Sequence, residues 1–264
     1  MKSGKLEWLA LAWLAAVLIS SALAPILVAT PPGQPVGEAL LSPSARPPLG
    51  TDALGRDAWS RVVWGGRLSL GISLAAASLT IILGTAGGLT AATYRGWPER
   101  AVLWIANSML AVPGLLLALL IAASIGPGVP AVVLAVGLGG APGFARLART
   151  TFLQVRQEGY VDAARSLGAG GAWASIHHIL PNASTTLLSL ATTHFAWAFL
   201  GTTTLSFLGL GGDPSAPEWG AMLNAGRADL PYAPWLALAP GLAISLTILS
   251  VHALGDYLAR RARR

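Results

Sequence analysis

Six long apolar runs whose interiors contain neither Asp nor Glu constrain this chain more than any other feature; they cover about residues 8–29, 68–93, 101–123, 129–147, 185–209 and 233–253. A helix crosses a bilayer with roughly 20 apolar residues, and hydrocarbon obliges each segment to satisfy its own backbone donors and acceptors. The runs therefore predict an all-α membrane protein of about six transmembrane helices. Composition agrees, with 54% of the 264 residues hydrophobic and 11% charged, against roughly a quarter charged in soluble domains. With no cysteine in the chain, thiol catalysis, iron–sulfur ligation and disulfides are excluded. The 17 basic residues form no stripe interleaved with aromatics, so nucleic acid is not an expected partner, and membrane lipid is. No acidic or His-rich cluster offers a metal site; His177 and His178 are adjacent and would point to different sides of a helix.

The first run follows Lys2 and Lys5, and Ala22-Leu23-Ala24 looks like a signal-peptidase site. Its length exceeds the 7–15 residues of a signal core, roughly speaking, and Pro25 follows the site directly, which favours a retained first span. Residues 30–48 are proline-rich and aperiodic, a loop. Within the third run, Pro113 and Asn107 stand out; Asn107 is expected to hydrogen-bond between helices rather than to touch a solute. In the fourth, Gly137, Gly139 and Gly140 would allow close helix packing. His194 in the fifth has no intramembrane acid to pair with and reads as a packing residue.

One polar interruption, residues 158–182, reads as a helix-turn-helix that docks on something outside the membrane. Tyr160 to Leu167 would form two helical turns with Val161, Ala164 and Leu167 along one side, and Gly168 stands where a helix meets its C-cap. After Ala169-Gly170-Gly171, a second helix is expected from Ala172 to about Leu180, ended by Pro181. An ordinary interhelical loop is the plainer alternative.

Asp162-Ala163-Ala164, Gly168 and Leu180-Pro181 resemble the cytoplasmic "EAA loop" of ABC importer permeases. The string Gly50-Thr51-Asp52-Ala53-Leu54-Gly55-Arg56-Asp57, continuing through Ser60-Arg61 and Gly65-Gly66-Arg67, is similar to one permease of the dipeptide, oligopeptide and nickel importers. Pro113-Gly114-Leu115-Leu116-Leu117-Ala118 and Leu205-Ser206-Phe207-Leu208-Gly209-Leu210-Gly211 carry the same resemblance. Asn107 and Thr202 depart from it, standing where many relatives have an acid. An interfacial helix with Arg56, Arg61 and Arg67 snorkelling to headgroups is a placement compatible with that ancestry.

The resemblance implies a type I importer permease: an N-terminal span and external segment over 1–67, a core over 68–264, and a polar segment 213–232 near an external substrate-binding protein. It implies a homologous second permease completing the pore and two ATPase subunits, which bind ATP and Mg while this chain binds no cofactor. Glu158, Tyr160, Val161, Asp162, Ala163, Ala164, Arg165, Leu167 and Gly168 would couple to the ATPases, Ala163, Ala164 and Gly168 allowing close approach. The cargo would be short peptides, nickel or another small solute.

Two tests are independent of the resemblance. The chain lacks a GxxxxGK[S/T] loop, so it is not expected to bind and hydrolyse ATP by that route, and its energy must come from a partner. With both termini cytoplasmic, 12 of the 17 basic residues lie inside and five, Arg46, Arg56, Arg61, Arg67 and Arg227, outside, so the positive-inside rule selects that topology in a plasma (inner) membrane. The competing class is a secondary transporter driven by an ion gradient, which would require intramembrane carboxylates and inverted repeats; neither is visible.

Overall fold

The structure, a computed structural model, describes residues 3–28 and 30–262, with side chains over 7–28 and 30–260. Lys2, Arg263 and Arg264 of the charge count lie outside the described residues, as do the side chains of Lys5 and Arg261. The described chain is helical, with two isolated β-bridges, Pro35 to Arg56 and Thr51 to Asp57, and no sheet.

Helices α1 (Ser3–Ala22) and α2 (Ala24–Leu27) lead to an irregular segment and then to α3 (Ala58–Thr93), which is 36 residues long. Asp57 caps α3 by accepting from the Trp59 amide at 2.9 Å. The helix thus takes in residues 58–67, expected as an interfacial approach, as its first turns. It packs along α6 (Val129–Val155) because small residues let the backbones meet: a Cβ at Gly84 would lie 2.8 Å from Phe144, and one at Gly88 would lie 2.7 Å from the Ala145 carbonyl. Gly137 and Gly140 seat Leu79 and Thr80 in the same way, and the Thr80 hydroxyl donates to the Gly137 carbonyl at 3.0 Å. Gly139, expected with them, meets nothing within 4 Å and faces a cavity instead.

The third run is not one helix. It divides into α4 (Trp97–Leu110) and α5 (Gly114–Ile125), bent by 92° at Ala111 to Pro113. Pro113 precedes α5, where its missing amide costs no helical hydrogen bond. Asn107 is exposed on α4 rather than held between helices. By length and composition, α3, α6 and α11 (Trp235–Ala262) qualify as membrane spans, and the bent pair adds a fourth if counted as one. The apolar part of α1, Glu7–Ala22, is shorter, and α9 (Leu180–Phe207) is 28 residues long but rich in Ser and Thr.

Contacts sort the polar segments to two ends. At one end lie the C-termini of α3 and α6, the start of α9, and an Arg260–Glu7 ion pair joining the chain's two extremities. At the other, the 30–57 segment, the head of α3, the 208–218 turn and α10 (Trp219–Gly226) meet. Arg56 and Arg61 do not snorkel there. They are 8% and 3% exposed, share the Asp52 carboxylate at 2.7 and 3.4 Å, and Arg61 also donates to the Pro32 and Ser215 carbonyls, each at 3.1 Å. Buried guanidinium groups require such partners; Asp52 is close in sequence, while the Pro32 and Ser215 carbonyls come from remote loops, and of the three arginines Arg67 alone is exposed. Glu218 is also buried here, accepting from the Ser69 hydroxyl at 3.0 Å and the Ala221 amide at 2.9 Å, which clamps α10 to α3.

Candidate docking site

The loop after α6 begins with a tight turn, Glu158 donating its amide to the Val155 carbonyl, and then forms α7 (Gly159–Ser166). Glu158 occupies the N-cap position in an extended conformation, Asp162 lies in the first turn and Arg165 in the last. That order places negative charge near the positive end of the helix dipole and positive charge near its negative end.

Gly168 terminates α7 with φ +93°, and the hydrogen bonds are those of a Schellman motif: Gly168 donates to the Arg165 carbonyl at 2.9 Å and Ala169 to that of Ala164 at 3.0 Å. A Cβ at Gly168 would meet nothing within 4 Å, so glycine is required by backbone conformation rather than by crowding within this chain.

Val161 fixes the helix to the membrane body. It is 0% exposed and joins a cluster with Phe144, Ala148, Phe152, Ile179 and Ala183, burial that stabilises by about 1.5–3 kcal/mol. Leu167, expected on the same side, is 89% exposed, and Ala164 is half-buried. The reason is phase: with Val161 turned inward, Tyr160, Ala163 and Leu167 fall on the opposite, uncovered face. Trp173 and Ile176 extend that face, since both are at least half exposed, and Trp173 stacks on His177 with centroids 4.6 Å apart. These two were not singled out in the sequence; an exposed Trp and Ile in a polar loop are the signal that identifies them.

The second helix of the loop is not a separate element. α8 (Gly171–Ala174) passes through a π-helical turn, Ser175–Ile179, directly into α9, and Pro181 lies in the first turn of α9 rather than ending a helix. The wider turn lets Leu180 donate to the Ser175 carbonyl, shifting the hydrogen-bond register just where a proline would otherwise collide. α8 is thereby joined to a 28-residue helix with no intervening loop.

Further bonds tie the loop to its neighbours. The Thr93 hydroxyl donates to that of Ser175 at 2.7 Å, the Arg156 guanidinium donates to the Ala92 carbonyl, and Arg149 pairs with Glu99. Partial burial, with Arg165 and Arg95 nearby, lowers the Arg156 pKa from its ordinary value, while burial and the Glu158 carboxylate raise that of Tyr160. Among the described residues, no group of three or more His, Asp or Glu is placed to hold a metal ion. The arrangement is a partly apolar surface at the end of two membrane helices.

Residues 84–264 match the family described as the binding-protein-dependent transport system inner membrane component. The glutathione transport system permease protein GsiD of Pectobacterium atrosepticum is 41% identical over 216 residues, which cover 82% of this chain and 72% of that protein. GsiD of Escherichia coli O157:H7 is likewise 41% identical, over 82% of this chain and 71% of its own length. Among solved structures, the MetNI methionine ABC transporter in inward-facing conformations is similar with a TM-score of 0.64 at 20% identity, covering 77% of this chain and 97% of that one. An amino acid ABC transporter gives 0.61 at 18% identity, over 76% and 94%. At these identities the two solved structures speak for the fold alone.

Proposed function

The chain belongs to the inner membrane components of binding-protein-dependent transport systems, the permease subunits of ABC importers, and from that premise we propose that it is one half of a heterodimeric pore for short peptides. The second half is a homologous permease, two ATPase subunits that bind ATP and Mg supply the energy, and an external substrate-binding protein delivers the solute. Both termini and the 158–182 loop are cytoplasmic in this reading, which the charge bias supports. The division into residues 1–67 and a core over 68–264 belongs to the same proposal, and the family match over 84–264 falls within that core.

The observation that carries the coupling role is the two-sided α7: Val161 buried against the membrane helices, Leu167 and Tyr160 uncovered. Glu158, Tyr160, Asp162, Ala163, Ala164, Arg165, Leu167 and Gly168 would contact the ATPase, with Val161 as the anchor that makes the contact rigid. ATP-driven closure of the two ATPases would then move α7 and α8 as levers, and the continuity of α8 with α9 carries that motion into the pore. The peptide class is supported by the name of the GsiD relatives. Proteoliposomes holding both permeases, the ATPases and the binding protein should take up glutathione or a dipeptide only with internal ATP. Uptake that persists without ATP and collapses with the proton gradient would overturn the reading in favour of a secondary transporter.

A further inference from the structure

A cavity of about 470 Å³ lies between the N-terminal half of α6 and the C-terminal half of α9, roughly twice the volume of either cavity at the α10 end of the molecule. Gly114 and Gly139 leave room in it, since a Cβ added at either would meet nothing within 4 Å. α5, set at 92° to α4, supplies Gly114, Leu115 and Ala118 to the lining, and Leu115 and Trp197 are 48% and 64% exposed. His194 lines it. The imidazole is fixed by the edge-to-face contact with Phe144, with centroids 4.9 Å apart at 78°. Neither ring nitrogen hydrogen-bonds to another described residue.

A polar group at membrane depth must find a partner. Among the described residues none hydrogen-bonds to His194, and the cavity has the volume of a small-molecule site with few polar groups on an apolar wall. Given the permease role proposed above, we infer that this groove is the subunit's contribution to the solute path and that His194 hydrogen-bonds a carbonyl or carboxylate oxygen of the passing peptide. The Thr80 and Thr204 hydroxyls on the cavity wall already donate to the Gly137 and Leu200 carbonyls at 3.0 and 2.7 Å, which leaves His194 and the indole N–H of Trp197 as the side chains with a donor to offer.

The absence of cysteine permits a direct test in the assembled four-subunit transporter. The Thr204→Cys variant should react with a sulfonated, membrane-impermeant maleimide in at least one nucleotide state, while Leu249→Cys, exposed on α11 and lining none of the three cavities, should not. His194→Leu should lower ATP-driven glutathione uptake about tenfold, the loss of one hydrogen bond, with ATPase subunits still bound and basal hydrolysis retained. His194→Gln, which keeps a donor, should stay within about threefold of the unmodified transporter on the same grounds. If Thr204→Cys stays unlabelled in every state, or His194→Leu transports normally, the groove is filled by the second permease or by lipid and the inference falls. The permease reading itself fails differently, by the absence of ATP-dependent uptake in the unmodified complex.

Discussion

Replacing Gly168 by Ala and by Glu separates the fold of the loop from its contact with a partner. Gly168 has φ +93°, where a residue with a Cβ is strained by about 1–2 kcal/mol, and both substitutions incur that cost. Neither meets a clash within the chain, because a Cβ there has no atom within 4 Å. The Schellman bonds to the Arg165 and Ala164 carbonyls use the backbone amides of residues 168 and 169 and survive in both variants. Any further difference between Ala and Glu therefore belongs to whatever covers Leu167 and Gly168 in the complex. A carboxylate buried there without a partner costs several kcal/mol, about 3–4 being enough to weaken ATPase binding some hundreds-fold. The assay is recovery of the complex in detergent, measuring ATPase retained per permease pair, glutathione uptake after reconstitution, and thermal unfolding of the membrane subunits. Gly168→Ala should keep most of its ATPase, and Gly168→Glu should lose it with an unfolding midpoint matching the Ala variant. Equal retention in the two variants would refute the docking role of this corner of the loop.

Three other outcomes are expected. Reporters fused after Arg264 and within residues 169–171 should read cytoplasmic, and one within residues 213–217 external; an external signal at Gly170 would rule out ATPase docking. Asp52→Ala removes the carboxylate shared by two buried arginines, and should destabilise the membrane subunit by about 3–5 kcal/mol in thermal or denaturant unfolding, whereas Arg67→Ala should change it by under about 0.5 kcal/mol. Gly88→Leu would drive a side chain into the Ala145 carbonyl and Ala148, so α3 and α6 must separate; yield of folded protein should drop sharply, while Gly71→Leu, with no neighbour within 4 Å, should express normally.

Much of this architecture is legible in the residues themselves. The apolar runs announce helices, and Gly168 announces the end of α7, because a left-handed turn has one favoured residue. Pro113 and Pro181 show where such reading fails. The first breaks an apolar run that counts as a single span by length, the second merely opens α9, and only the register of surrounding hydrogen bonds distinguishes them. Arg56 and Arg61 look like headgroup contacts because the Pro32 and Ser215 carbonyls that help to bury them are brought up only by tertiary structure, although Asp52, four residues before Arg56, is a partner within reach of local reading. In the docking loop, the spacing of Val161, Ala164 and Leu167 identifies a helix but not its rotation. Which of its faces is buried depends on Phe144 and Phe152 of α6, side chains that no local pattern relates to Val161.

Photocrosslinking from position 167 in the complete transporter tests the central claim most directly. A photoreactive phenylalanine analogue replacing Leu167, the 89% exposed C-cap residue of α7, should crosslink to an ATPase subunit, with a yield that changes between nucleotide-free and ATP-bound states. Crosslinks to the external binding protein, or none to an ATPase in a complex that transports, would contradict the assignment of this loop as the coupling element.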